Sequence, residues 1–257
     1  MHTRILLCLA LLIGAATTVH ATPTKDATGT VKTETLSAAN AQSQTVSYAV
    51  SAGSDRLLMV RVSYDTEGAD LSGTTVTYGG VSLTLLDTQT SAVSADQGVQ
   101  IWYLIAPTVG TANVVIDLAS TTEFSHCLSV IDAWAGVDQT TPFGTTTKIA
   151  ETAGSFTSTS ISVASVADDL VVDVIATFFN GVITITNGAG QSSDAEEENN
   201  NIITTGASRE IAVGTSTDLE WTFSTAVTGY RTIGVAMKQV GGAAATGGGQ
   251  MLRGCCQ

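Results

Sequence analysis

Asp55-Arg56-Leu57-Leu58-Met59-Val60 and Asp168-Asp169-Leu170-Val171-Val172-Asp173 are the two stretches that decide the fold. In each, an acidic turn runs into consecutive apolar residues. The runs are short and rich in side chains that suit a pleated surface, so they read as strands. A strand without polar alternation has to be covered on both faces. Both stretches are therefore predicted to be central strands with a further layer on each side.

Outward from them, period-2 alternation and β-branched residues dominate the chain. Strands are predicted over 28–36, 44–50, 56–64, 74–78, 81–87, 97–105, 112–118, 123–133, 145–150, 158–164, 169–178, 182–186, 202–205, 208–213, 218–223 and 230–238. Gly79-Gly80 between two of them predicts a tight hairpin, because glycine reaches positive φ without steric cost. Short strands joined by Gly, Asn, Asp, Ser and Thr point to an all-β protein, an antiparallel β-sandwich of jelly-roll type.

The two opening stretches also belong to a faint internal repeat. Thr45-Val46-Ser47, Asp55 and Leu57–Val60 are echoed by Ser160-Ile161-Ser162, Asp168 and Leu170–Val174. Val115–Leu118 with 124–130 is echoed by Trp221–Phe223 with 230–235. One large sandwich with pseudo-twofold symmetry and two small tandem sandwiches both satisfy this pattern. The organisation expected is a segment 22–43 carrying the first strand, then a sandwich over 44–240 with possible halves 44–145 and 146–240. A Gly-rich tail, 241–257, follows and is expected to be flexible.

The chain starts with Arg4, an apolar run from Ile5 to Ala16, and Val19-His20-Ala21. These are the three parts of a secretory signal peptide, 1–21, cleaved after Ala21. The run is too short to span a bilayer, which takes roughly 20 apolar residues. A secreted or cell-envelope location is expected. With 257 residues, 44% of them apolar, the chain can bury a sizeable core. Its formal charge of −13 argues against nucleic-acid partners, which are themselves polyanions.

Five runs carry a resemblance: 55–60, Thr77-Tyr78-Gly79-Gly80-Val81-Ser82-Leu83-Thr84, Ile101-Trp102-Tyr103-Leu104-Ile105-Ala106-Pro107, Gly136-Val137-Asp138-Gln139-Thr140-Thr141-Pro142-Phe143, and 168–173. Together they resemble a β-sandwich module that recurs in secreted and surface proteins of bacteria and in some phage-associated proteins. The similarity extends over most of 44–239. It implies a sandwich and an extracellular placement, and no catalytic activity.

Catalytic chemistry is hard to assemble from these residues. His126 is the one histidine left after cleavage, and neighbouring Cys127 points to the opposite face of a strand, so the two make no dyad. Paired carboxylates could serve a glycosidase. Glu67, Asp70, Asp117, Glu123, Asp173 and Glu220 are the candidates, with no spacing that pairs any two. A non-enzyme is the expectation. Asp194, Glu196, Glu197, Glu198 and Asn199 lie in an acidic, amide-rich stretch read as a loop that could hold calcium through hard oxygen ligands. Trp102 and Trp134 are candidate sugar-stacking faces, whereas Trp221, sharing a strand face with Phe223, reads as core. Cys127 reads as a buried thiol, and Cys255 and Cys256 in the tail could cross-link two chains. The function expected is adhesion or glycan binding at a cell surface or in extracellular matrix, with glycans or other surface proteins as partners. The alternative is a self-assembling subunit that donates strand 28–36 to a neighbour. A carbohydrate-active enzyme ranks third.

Overall fold

The computed structural model describes residues 21–26, 32–36, 43–65, 73–91, 97–117, 126–179, 181–199 and 203–241. Residues 1–20, within the expected signal peptide, the tail from 242 with Cys255 and Cys256, and Glu67, Asp70 and Glu123 lie outside them. The described chain is all-β and antiparallel, and no helix in it is long and apolar enough to cross a membrane.

The strands of the first part are β1 (Thr24–Lys25), β2 (Lys32–Leu36), β3 (Ser43–Val50), β4 (Leu57–Asp65), β5 (Thr75–Tyr78), β6 (Val81–Ser82), β7 (Thr84–Thr90), β8 (Gln97–Ile105), β9 (Gly110–Asp117) and β10 (His126–Ala135). Those of the second are β11 (Thr147–Glu151), β12 (Phe156–Ala164), β13 (Leu170–Phe178), β14 (Ile185–Asn187), β15 (Ser192–Asn199), β16 (Ile203–Ile211), β17 (Ser216–Val227) and β18 (Tyr230–Met237).

Each part makes two sheets with the same strand order. In the first, β10-β4-β8-β7 is flanked by β1 and β2 on β10, and β3-β9-β5-β6 forms the other sheet. In the second, β11-β18-β13-β16-β15 stands with β12-β17-β14. Most connections cross between the two sheets of a sandwich, with hairpins β5–β6, β7–β8 and β15–β16 staying within one sheet. β4 and β13 occupy equivalent central places, and each is preceded by an aspartate at positive φ, Asp55 at 53° and Asp168 at 73°.

Burial follows the layer. Every residue of β4, β13 and β18 is buried, while β3 and β17 alternate buried and exposed positions. The sheets holding β4 and β13 are therefore inner layers packed face to face, and the β3 and β12 sheets are the outer layers. Three interfaces result. Val60, Val62 and Tyr64 face Val46, Tyr48 and Ile116 inside the first sandwich. Val171 with Ile161, and Ile175 with Trp221, fill the second. Between the sandwiches lies a central seam where Leu57, Met59, Ile101 and Leu128 meet Val172, Val174, Ile233 and Met237. Each such side chain, fully buried, contributes about 1.5–3 kcal/mol.

The Gly79-Gly80 hairpin forms as expected, with Tyr78 opposite Val81 and both glycines at positive φ, 57° and 83°. One expectation fails in kind. The acidic stretch read as a loop is a strand, β15, paired along β16 at the sheet edge. Glu and Asn are poor strand formers in isolation, but at a sheet edge their charges stay in water and discourage edge-to-edge pairing.

Candidate functional site

The seam carries two polar regions, one at each end. The first surrounds Arg61, which follows four consecutive apolar residues in the middle of β4 and is wholly buried. A buried guanidinium needs partners for its donors. Arg61 Nη2 donates to Asp132 Oδ2 at 2.5 Å and to Asp194 Oδ2 at 3.0 Å, and Nη1 donates to the Asp173 carbonyl at 2.9 Å. The other Asp194 oxygen accepts from Lys25 Nζ at 2.6 Å and from Arg209. Asp194 can reach inward because the β15–β16 register slips between Ser193 and Ala195. Such a bulge re-aims a side chain, and here the carboxylate of a nominally acidic edge strand is fully buried. Lys25 and Arg209 each lie 5.8 Å from the centre of the Trp134 ring. The network joins β1, β4 and β10 of the first sandwich to β15 and β16 of the second.

The second region is at the opposite, His126 end. His126, Asp65 and Gln97 stand opposite one another across β10, β4 and β8, so their side chains share the seam face. Gln97 Nε2 donates to Asp65 Oδ2 at 3.1 Å. Across the seam, the Arg231 guanidinium lies 5.2 Å from the Phe178 ring centre and donates to the carbonyls of Glu151 and Tyr230. A cleft of about 570 Å³ opens here, lined by Gln97, Thr152, Phe178, Phe179, Gly229 and Arg231. Aromatic faces beside a few convergent polar groups, in a cleft between two packed units, is the form a small-ligand site takes.

Of the candidate site residues read from the sequence, Asp194 and Trp134 fall in the first region. Trp102 is only 7% exposed, sits in the first sandwich's core and donates Nε1–H to Gln100. Trp134 is 1% exposed and buried in the seam. Both rings are buried, so they do not form the exposed tryptophan platform expected, although Trp134 is among the residues lining a cavity beside Lys25 and Arg209. Their strand positions look half-exposed locally, but a second sheet covers them. Trp221 is core, as expected, and donates to Asp173 Oδ2 at 2.7 Å. Asp173 also accepts from the Ser208 amide and hydroxyl, and burial raises its pKa against those three donors. That carboxylate is enclosed in the second sandwich and forms no catalytic pair in a cleft.

Cys127 is buried in the first core on the face opposite His126, and burial pushes its thiol pKa up. Of the calcium candidates, Asp194 is taken up by three cations. Glu196, Glu197 and Glu198 border a cavity of only about 140 Å³ beside β14, and the Asn199 side chain lies outside the described residues. Among the described residues no three His, Cys, Asp or Glu side chains form a metal-binding group. The described part of the strand offered for donation pairs with β10 of its own chain, Thr33 opposite Val130 and Thr35 opposite Leu128.

The ionic seam and the His126-end cleft did not emerge from the sequence. A signal was present: Arg61 and Asp132 are charges inside runs that read as buried, and such charges require partners of opposite sign.

The fold thus defines a protein of two similarly wound antiparallel sandwiches joined through a polar-ended seam. No family model matches the chain, and neither a curated protein nor a solved structure matches it.

Proposed function

We propose that the protein is a secreted, non-catalytic β-sandwich protein that acts at the cell surface or in extracellular matrix by glycan binding or adhesion. The glycan would sit in the cleft at the His126 end of the seam. The observation that carries this reading is the cleft's lining. Half-buried Phe179 offers an apolar face to sugar C–H groups beside the Phe178–Arg231 pair, and Gln97, Thr152 and Thr228 supply hydrogen-bonding groups. The signal-peptide pattern and the resemblance to a module of bacterial surface proteins support the extracellular placement.

The test is calorimetric titration of the mature chain, 22–257, with a panel of neutral and acidic polysaccharides. Binding that weakens at least about tenfold in Phe179→Ala, the loss expected when an aromatic anchor leaves a pocket, supports the reading. No binding by folded protein to any member of the panel overturns it, as does binding indifferent to Phe179→Ala and Gln97→Ala. Assembly by strand donation would require β1 and β2 to leave β10. Light scattering that finds only monomer argues against that alternative.

A further inference from the structure

A sheet that does not close on itself leaves unpaired N–H and C=O groups along its edges, and charge or shortness keeps such an edge from pairing with another chain. Most edges of this molecule are guarded in that way. β2, β7, β11 and β15 carry charged residues, and β1, β6 and β14 span only two or three residues. β12 has neither protection. Phe156–Ala164 runs for nine residues without Lys, Arg, Asp, Glu or Pro. It pairs with β17 on one side, and among the described residues no other backbone pairs with it. β3, its counterpart in the first sandwich, is also uncharged. It is shorter, and it exposes Ser43, Thr45 and Ser47 where β12 exposes Thr157, Ser158, Ser160, Ser162 and Ala164.

The β12–β17 register slips between Phe156 and Ser158, so the regular part of the edge is Ser158–Ala164. Laid antiparallel against the same stretch of a second copy, it has its centre at Ile161. Ser160 then stands opposite Ser162, Thr159 opposite Val163 and Ser158 opposite Ala164. The members of each pair share one face of the sheet. Buried Ile161 and Val163 continue the core-facing side, and small exposed side chains make the outer one. A twofold axis needs one self-complementary surface, and this strip is one.

Charge selects the same occupant. With a net charge of −13, two copies repel over most approaches. The acids of the neighbouring strand, Asp218 and Glu220, are exposed on β17 opposite Ser162 and Ser160. In a joined sheet the two β17 strands are three strand spacings apart, about 14 Å, which exceeds the screening length of about 8 Å at physiological salt. We propose that the protein forms a twofold homodimer in which β12 pairs antiparallel with β12 of a second copy, joining the three-stranded outer sheets of both copies into one. β1 and β2 stay on β10, so the assembly closes as a dimer without strand exchange. It involves neither polar end of the seam, and it stands or falls independently of glycan binding.

The experiment is sedimentation velocity of the mature protein over a concentration series, in reductant so that Cys255 and Cys256 cannot link copies. One strand pair is small beside the roughly 1,200–2,000 Å² of a stable interface, so a dimer that dissociates on dilution is expected. The probe is the double variant Ser160→Lys with Ser162→Lys. Within one copy each new ammonium faces an acid of β17, Glu220 or Asp218, so the fold is kept, and an unchanged circular dichroism spectrum verifies it. Between copies each new ammonium faces its like, and association should weaken at least about tenfold. Thr45→Lys with Ser47→Lys, the matching change on β3, should leave the dimer as it was. A monomer at every concentration overturns the proposal. So does a dimer that survives Ser160→Lys with Ser162→Lys, a dimer lost with the β3 change, or assembly that continues beyond two copies.

Discussion

Replacing Asp194 by asparagine tests the claim that an ionic network fastens the two sandwiches together. The carboxylate accepts from Lys25 at 2.6 Å, from Arg61 at 3.0 Å and from Arg209, and the Asp194 and Arg61 side chains have no solvent exposure. Asparagine keeps the shape but supplies one neutral acceptor oxygen and turns two N–H donors towards cations. Three positive charges are then left around Asp132 alone. Removing one partner from a buried network costs about 3–5 kcal/mol, because the remaining charges stay desolvated without compensation. For a chain of this size each kcal/mol is about 2–4 °C in Tm, so a fall of roughly 6–20 °C is expected. Urea and thermal unfolding of the mature protein measure it. Glu196→Gln, an exposed neighbour on the same strand, serves as control and should stay within about 0.5 kcal/mol. A loss under about 1 kcal/mol for Asp194→Asn, or one equal to the control, would refute the reasoning, since a buried partner of three cations cannot be that dispensable.

Three further outcomes are expected. Gly206→Ala would put a Cβ 2.6 Å from both Ile185 Cδ1 and the Trp221 ring, so about 1–3 kcal/mol of destabilisation and an altered near-ultraviolet Trp signal should follow. Cys127, buried with a raised thiol pKa, should resist alkylation in native protein, with mass spectrometry finding it labelled only as denaturant unfolds the chain. The Asp138 carboxyl is held below the usual aspartate range, first by the Thr141 amide and then by that of Thr140. Its contribution to the 136–143 connection is present above the ordinary aspartate pKa and lost as pH falls through the depressed one. A carboxyl NMR titration of Asp138 with a midpoint at or above the ordinary value would contradict this.

The fold was largely legible in the sequence because its signals are local. Leu57–Val60 and Leu170–Val172 lack polar alternation, and the only strands that tolerate this are covered on both faces, which is where β4 and β13 lie. The 44–50 and 97–105 strands match the observed β3 and β8 to within a residue, since period-2 alternation ends where turn residues begin. The two strands expected at 202–205 and 208–213 are instead one, β16, because Gly206 is needed where the Trp221 ring approaches the backbone and does not mark a turn.

By itself, then, the sequence determined most of the strands, though not β15, together with the faint repeat in their order and the apolar runs that had to be buried, because alternation and turn chemistry act over a few residues. Only the tertiary structure decided what those positions bury against. Trp102 and Trp134 are covered by another sheet, and the bulge at Asp194 turns a carboxylate onto Arg61, 133 residues away in the chain. His126, Asp65 and Gln97 are brought to one end of the seam opposite Phe178 and Arg231. Such meetings depend on how two sheets pack and on a one-residue slip in register, and period-2 patterning contains neither.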